Sequence, residues 1–290
     1  MILLLGGSGY VGQAFQTFFQ QNNIAFKNIP RSERDYTQPE ILRQIIADVK
    51  PDFLVNCAGY TGKPNVDACE LHKLETLEGN VIFPGHIMQI CNELRLPWGH
   101  VSSGCIYEGN SPDGKGWKET DEPNFDFRHN NCSFYSGTKA LAEEILADAT
   151  TCYLWRLRVP FNNEDTDRNI LTKWMTYDTL LNATNSLSHI DEFARACYEC
   201  FEKKIPFGTY NMTNPGSITT KEAVELIKKS GISTKEFKFF VNEDEFMKTA
   251  AKARRSSCVL NSDKREAAGV HMTEVHQAVE QALKDWKTQK

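Results

Sequence analysis

Met1-Ile2-Leu3-Leu4-Leu5-Gly6-Gly7-Ser8-Gly9-Tyr10-Val11-Gly12 opens the chain. Four apolar residues run into glycines at 6, 9 and 12, and an amphipathic stretch follows. That is the pattern of a strand, a glycine turn and a helix. The G-x-x-G-x-x-G spacing is a variant of the dinucleotide-binding fingerprint. Glycine lets backbone approach a phosphate closely, and the helix start offers unpaired N–H groups and a positive dipole end. Gly6, Ser8, Gly9, Tyr10, Val11 and Gly12 are therefore candidate cofactor contacts. Tight strand–helix packing alone would also use such glycines.

Alternation continues outward from this unit. Ile24–Ile29, Phe53–Val55, Trp98–Val101 and Tyr153–Val159 read as strands. Ile41, Ile45, Ile46 and Val49 share one helical face, Val81 to Leu94 carries a second helical pattern, and Ala140–Ala149 is strongly helical. The β-α-β alternation predicts an α/β fold, a Rossmann-type doubly wound parallel sheet. Beyond Pro160 the pattern loosens. Asp191–Lys204 reads as a helix, Thr219-Thr220-Lys221-Glu222 as a capping box for a helix ending near Gly231, and a last helix starts near Thr273. We expect a cofactor-binding Rossmann domain over 1–160 and a small C-terminal substrate-binding lobe over 161–290, with an interleaved boundary.

Bulk properties exclude several classes. The 290 residues carry a net charge of −5 with both signs interspersed, so no basic face for nucleic acid is expected. Nine cysteines lie scattered without a paired framework, which suits a reducing compartment. Cys197 and Cys200 form a lone C-x-x-C in a helical pattern and read as buried thiols, so no metal site is expected. The apolar start is too short for a signal peptide, and no stretch is apolar enough to span a bilayer. A soluble cytoplasmic protein without membrane or nucleic-acid partners is the expectation.

In a doubly wound sheet, ligands bind beyond the carboxyl ends of the strands. After the second predicted strand stands Arg31, where an acidic residue would bind the ribose of NAD; a basic one accommodates the 2′-phosphate of NADP(H). Asp35 and Tyr36 are placed to flank the adenine. After the third come Cys57, Ala58 and Gly59, small enough for backbone to lie against a cofactor, and then Tyr60. The polar loop that follows offers Thr61, Lys63 and Asn65 to a substrate. Asn162, opening the polar stretch after the fifth strand, is a further substrate-side candidate. After the fourth strand come Ser102, Ser103, Gly104 and Cys105, and about thirty residues later Tyr135 and Lys139 begin a helix. Tyr and Lys four apart share a helical face. A free phenol titrates near ~10, too high for a proton shuttle at neutrality. A neighbouring ammonium favours the phenolate and lowers that value. A serine hydroxyl then holds a ketone oxygen beside the phenol, and the set becomes a general acid for carbonyl reduction.

These residues resemble the extended short-chain dehydrogenase/reductase superfamily: Gly6, Gly9 and Gly12 match its fingerprint, and Ser103, Tyr135 and Lys139 its catalytic triad. Within it, the chain is similar to the dTDP-4-dehydrorhamnose reductase branch, and most of all to the plant-type nucleotide-rhamnose synthases. The segments that carry this likeness are Ala58–Asp67, Gly104–Ile106, Pro123–Phe125, Ser133–Ala140 and Tyr210–Gly216. The resemblance implies a UDP-4-keto-6-deoxyglucose 3,5-epimerase/4-reductase, both isomerase and oxidoreductase, using NADPH in rhamnose biosynthesis. It implies that Cys105 and Lys173 are the epimerase pair, that Gly104, Asn162 and Arg255 lie on the substrate, with Ser256 beside Arg255, and that Asn80 sits near the cofactor. It implies a homodimer. Plant members often carry threonine where Ser103 stands; the hydroxyl is retained. Many also carry a fused dehydratase, whereas here Met1 begins the first strand, so a separate 4,6-dehydratase is expected upstream. UDP is favoured over dTDP by likeness alone. Two alternatives stay open: a 4-ketoreductase without epimerase activity, and a non-catalytic nucleotide-binding regulatory subunit.

Overall fold

Six parallel strands carry the molecule: β1 (Ile2–Leu5), β2 (Phe26–Ile29), β3 (Phe53–Asn56), β4 (Trp98–Ser103), β5 (Cys152–Leu157) and β6 (Gly208–Asn211). They form one sheet in the order β6-β5-β4-β3-β1-β2. The structure, a computed structural model, describes residues 1–63 and 65–287; Pro64, inside the loop assigned to substrate, lies outside the described residues. Every residue of β1 and β3 is buried, because helices cover both faces of the sheet; such strands read as continuous apolar runs. Leu5 of β1 pairs with Ile29 on one side and Asn56 on the other. The chain therefore reverses its direction of travel between β1 and β3. That reversal is the switch point at which open α/β sheets bind ligands.

The helices used below are α1 (Tyr10–Gln21), α2 (Pro39–Val49), α3 (Phe83–Leu94), α4 (Phe134–Ile145), α5 (Ile170–Thr176), α6 (Ile190–Glu202), α7 (Thr220–Ser230) and α8 (Val275–Lys284). Phe15 and Phe19 of α1 meet Phe193, Ala196, Cys197 and Cys200 of α6 and Trp155 of the sheet in one buried cluster. Leu42, Ile45 and Ile46 of α2 pack with Ile87, Ile90 and Cys91 of α3 on the other face. Each such large apolar side chain contributes about 1.5–3 kcal/mol when fully buried. Cys197 and Cys200 are thus core residues, and among the described residues no His, Cys, Asp and Glu group is arranged to hold a metal. No helix among them is long and apolar enough to cross a membrane.

The lobe has its own core, in which Leu171 and Trp174 of α5, Val224 and Ile227 of α7, and Val279 and Leu283 of α8 are buried together. α7 opens with the predicted capping box between Thr219 and Glu222 and closes at Gly231 in the left-handed region. After α5 the chain returns to the sheet as α6 and β6 before it continues into α7 and α8. Tyr210 and Asn211, read in sequence with the lobe, form the sheet's edge strand. Only four residues long and with Gly208 and Thr209 at its start, β6 has little apolar pattern to announce it.

Candidate active site

The crevice at the switch point is floored by the glycine turn. Gly6 has φ +75°, and a Cβ there would stand 2.4 Å from the Ala58 backbone nitrogen; a Cβ at Gly12 would stand 2.3 Å from the Gly6 carbonyl oxygen. These two positions admit only glycine because three backbone segments meet. A Cβ at Gly9 would come no closer than 3.5 Å, so the turn is open on that side. Gly9 caps α1 without a side-chain acceptor, which leaves the first-turn N–H groups free to bind an anion. Gln13 Nε2 donates to the Ser8 carbonyl (3.1 Å) and Gln16 Nε2 to that of Gly7 (2.9 Å), fixing the turn from behind. This cradle fits the diphosphate of a dinucleotide.

Asn80 completes the floor. It is fully buried in a π-helical turn, Glu78–Ile82; such wide turns recur at functional sites. Its Oδ1 accepts the Tyr60 N–H (2.8 Å), and its Nδ2 donates to the Tyr60 carbonyl (2.9 Å) and the Thr138 hydroxyl (3.3 Å). It clamps the backbone after β3 to α4. Arg31 is exposed beyond β2 and pairs with Asp35 (3.3 Å), whose Oδ1 also accepts the Thr37 hydroxyl (2.6 Å). The ring of Tyr36 is buried 5.5 Å from that of Phe83, after the chain turns back at Pro30–Arg34.

Above this floor lies a cleft of about 410 Å³. Ser103 comes from the end of β4; Tyr135 and Lys139 come from the first two turns of α4, whose N-terminus is capped by Ser133. Lys139 Nζ stands 5.8 Å from the Tyr135 ring centroid. Burial raises the Tyr135 phenol above the usual range, and the neighbouring Ser103 hydroxyl pulls the other way. Burial also makes the Lys139 ammonium easier to deprotonate. Cys105, in the short helix Gly104–Ile106, is pushed up by burial, against the Ser103 and Ser136 hydroxyls and the charges of Arg158 and Lys139. Behind them, Ser102 Oγ donates to Glu143 (2.7 Å), and Glu143 takes a forked pair of bonds from Arg156.

The opposite wall belongs to the lobe. Lys173 of α5 reaches the same cleft half-buried; burial first, then the charges of Arg168 and Arg255, lower the pKa of its ammonium. Arg168 donates to the Thr61 hydroxyl (3.5 Å) and the Gly62 carbonyl (3.4 Å). Arg255 makes two 2.8 Å bonds to Asp67. The structure thus brings Gly9, Tyr10, Val11, Cys57, Ala58 and Gly59 to one cleft with Thr61, Ser103, Cys105, Tyr135, Lys139, Lys173 and Arg255. Other candidates stand outside its lining. Lys63 is exposed to solvent, and Asn65 caps the turn Val66–Glu70 by accepting the Asp67 N–H (2.9 Å). Gly104 is buried beneath Leu260, and Asn162 accepts the Tyr10 hydroxyl (2.9 Å) behind the cleft. Sequence reading missed Arg158, Arg168 and Arg254. For Arg158 the signal was the strand end itself: β5 stops at Leu157, two residues before the predicted limit.

A doubly wound sheet with Ser, Tyr and Lys converging at its switch point defines the short-chain dehydrogenase/reductase class. Within it the chain belongs to the family described as RmlD substrate binding domain, whose model matches residues 1–288. Two relatives from Arabidopsis thaliana are 34% identical. One is a bifunctional dTDP-4-dehydrorhamnose 3,5-epimerase/dTDP-4-dehydrorhamnose reductase, matched over 78% of this chain and 74% of its own. The other is a trifunctional UDP-glucose 4,6-dehydratase/UDP-4-keto-6-deoxy-D-glucose 3,5-epimerase/UDP-4-keto-L-rhamnose-reductase, matched over 78% of this chain; the chain spans only 33% of that relative's length. In fold, the crystal structure of the UDP-rhamnose synthase of Acanthamoeba polyphaga mimivirus aligns with TM-score 0.89 and 23% identity, covering 98% of both chains. The dTDP-4-dehydrorhamnose reductase of Bacillus anthracis, solved in complex with NADP, aligns with TM-score 0.81 and 16% identity over 98% of this chain and 97% of that one.

Proposed function

We propose that the protein is a bifunctional 3,5-epimerase/4-reductase that converts UDP-4-keto-6-deoxyglucose to UDP-L-rhamnose with NADPH. The observation that carries this reading is one cleft with two proton-handling sets: Ser103, Tyr135 and Lys139 on the sheet side, and Cys105 facing a space that Lys173 enters from the lobe. Relatives named as epimerase/reductases support it. The glycine cradle suits the cofactor diphosphate, and Arg31 lies where a 2′-phosphate would fall. When bound, NADPH supplies the hydride for the carbonyl carbon. Ser103 holds the carbonyl oxygen, the Tyr135 hydroxyl protonates it, and the Lys139 ammonium stabilises the phenolate left behind. Before reduction, the 4-ketone acidifies the hydrogens at carbons 3 and 5. One of Cys105 and Lys173 removes a proton and the other returns one on the opposite face. Burial disfavours the charged form of both, which draws thiol and amine toward each other in proton affinity.

A 4-keto-6-deoxy sugar is a product of 4,6-dehydration, so a dehydratase is the expected upstream activity; a homodimer is the expected assembly. The deciding experiment supplies UDP- or dTDP-4-keto-6-deoxyglucose in D₂O. Deuterium at carbons 3 and 5 without NADPH, lost in Cys105→Ser with Lys173→Met, supports the epimerase. Reduction of a pre-epimerised ketone with no such exchange reduces the assignment to a 4-ketoreductase. NADPH oxidation that survives Tyr135→Phe removes the proposed acid.

A further inference from the structure

Arg158 stands one residue beyond β5 and two beyond Arg156. Both are buried, 7% and 4% exposed. They are neutralised in different ways. Arg156 meets the Glu143 carboxylate through Nε (3.1 Å) and Nη2 (2.7 Å), and its Nη1 donates to the Tyr107 hydroxyl (3.0 Å). Arg158 pairs with no carboxylate among the described residues. Its Nη2 donates to Asn185 Oδ1 and to the Ser256 carbonyl, both uncharged. Its Nε is sealed from solvent and has no acceptor among the described residues. A buried charge without a counter-charge is a costly state, and so is a buried N–H without an acceptor. The next residue adds strain. Val159 is β-branched yet has φ +36°, in the left-handed region such side chains disfavour.

Both features sit on the wall of the cleft that Cys105 and Tyr135 line. The Arg158 backbone is fastened there, its main-chain N–H donating to Ser188 Oγ (3.1 Å). Asn185 Oδ1, which accepts from Arg158, also accepts the Cys258 N–H (3.1 Å), and Cys258 Sγ donates to the carbonyl of Gly104 (3.2 Å), the neighbour of Cys105. The charge and the thiol are thus tied to one short run of contacts. The charged groups acting on Cys105 are Arg158 and Lys139; the titratable groups around it are Tyr135, Cys69, Cys132 and Cys258. Lys139 acts on Cys105 as well and stands 5.8 Å from the Tyr135 ring centroid. Arg168 and Arg255 act on Lys173 at the other wall.

We infer that Arg158 is a positioning residue whose guanidinium, together with the Lys139 ammonium, balances the charge of the Cys105 thiolate across the cleft they share. For its catalytic consequence the inference rests on the epimerase reading above. The thiolate takes the hydrogen beside the ketone as a proton. S–H forms, C–H breaks, and the electron pair moves to the ketone oxygen as an enolate. The Lys173 ammonium then protonates the carbon from the other face and is left as an amine. Negative charge is conserved in the cleft until that second transfer, and Arg158 balances it while it resides on sulfur.

The test titrates Cys105 in the full chain, by iodoacetamide alkylation across pH read peptide by peptide in a mass spectrometer. Arg158→Gln raises the Cys105 midpoint by about one pH unit, a roughly tenfold slower alkylation at fixed pH below it, and Arg158→Lys restores it. Asn185→Asp sets a carboxylate on an intact Arg158 and raises the midpoint in the same sense, which covers misfolding of the first variant. Alkylation of Cys132 stays unchanged throughout. A Cys105 midpoint unmoved in both Arg158→Gln and Asn185→Asp overturns the inference. A midpoint that moves in a protein whose wild type incorporates no deuterium supports the ion pair and overturns the epimerase reading instead.

Discussion

The two walls of the cleft are built on opposite plans. On the sheet wall three hydrogen-bonded networks lie behind the reacting groups. Ser102, Glu143, Arg156 and Tyr107 form a closed chain; Asn56 joins the Ala58 N–H to His100; Asn80 ties Tyr60 to Thr138. On the lobe wall stand Lys173 and Arg168, neither with a carboxylate partner among the described residues, and Arg255, which has Asp67. A satisfied network fixes atoms to within a fraction of an ångström, which carbonyl reduction needs. Unbalanced cations instead wait for an anion. The molecule as a whole is acidic, at −5, so this positive wall is local design, and it fits a nucleoside diphosphate and the charge that forms on the sugar.

If each wall has its own half-reaction, the two are separable by mutation. Tyr135→Phe removes the proton donor from the sheet wall. NADPH oxidation falls by about a thousandfold, within the range of a general acid, while deuterium exchange at carbons 3 and 5 persists. Loss of both in a protein with wild-type thermal stability breaks the comparison. Lys173→Met is the converse, with a loss of about a hundredfold in exchange and retained reduction of a pre-epimerised ketone. The pH dependence carries a sign. Burial and the charges of Arg168 and Arg255 lower the Lys173 pKa, so the amine form grows in at a lower pH than for a free lysine. The rate of exchange as a function of pH therefore has its Lys173-dependent limb displaced acidward of the ordinary lysine range. Lys173→Arg, protonated throughout, loses that limb.

Asn80→Ala probes the satisfied wall without touching the reacting atoms. It leaves the Tyr60 N–H and carbonyl short of partners, at a cost of about 1–3 kcal/mol, and loosens the backbone against which the cofactor lies. kcat/KM for NADPH oxidation falls about tenfold, in keeping with one lost orienting contact, and exchange without NADPH falls less. Equal losses in both would place Asn80 under the whole cleft and not under one wall.

How much of this was legible beforehand follows the same division. The sheet half announces itself locally. Ile2–Leu5 with its glycines, Ser103 at a strand end and Tyr135 four residues before Lys139 are short-range patterns, and a parallel sheet delivers strand ends to one edge by construction. The capping box at Thr219 was readable for the same reason. The lobe wall is assembled from distant segments. Arg168 and Arg255 have no shared spacing, and only the crossing of the chain back through α6 and β6 brings them to one surface. The burial of Tyr36 was hidden for a related reason: its neighbours Asp35 and Thr37 are half-exposed, and only the turn back at Pro30–Arg34 places its ring in the core. Lys173 and Cys105 were available through family likeness, not through local physics.

The smallest effect tests whether the lobe acts as a scaffold or as a moving part. Thr219 Oγ1 accepts the Glu222 N–H (3.1 Å), and Glu222 Oε2 accepts the Thr219 N–H (2.7 Å). The Thr219 N–H and the Thr219 hydroxyl, which donates to the same Oε2 (2.8 Å), hold the Glu222 carboxyl below its ordinary range. A depressed carboxyl stabilises the folded state above its unfolded pKa, and that stability is lost as pH falls through the folded value. Thr219→Ala removes the cap from α7 at a cost of ~1 kcal/mol, measured by urea or thermal unfolding near neutral pH, and the difference from wild type shrinks below about pH 4 as the carboxyl protonates. α7 shares its core with α5, which carries Lys173. A rigid lobe transmits nothing to the cleft, so both half-reactions keep their rates. If exchange slows while reduction does not, the lobe wall depends on how firmly α7 is held, and the looser of the two walls is also the adjustable one.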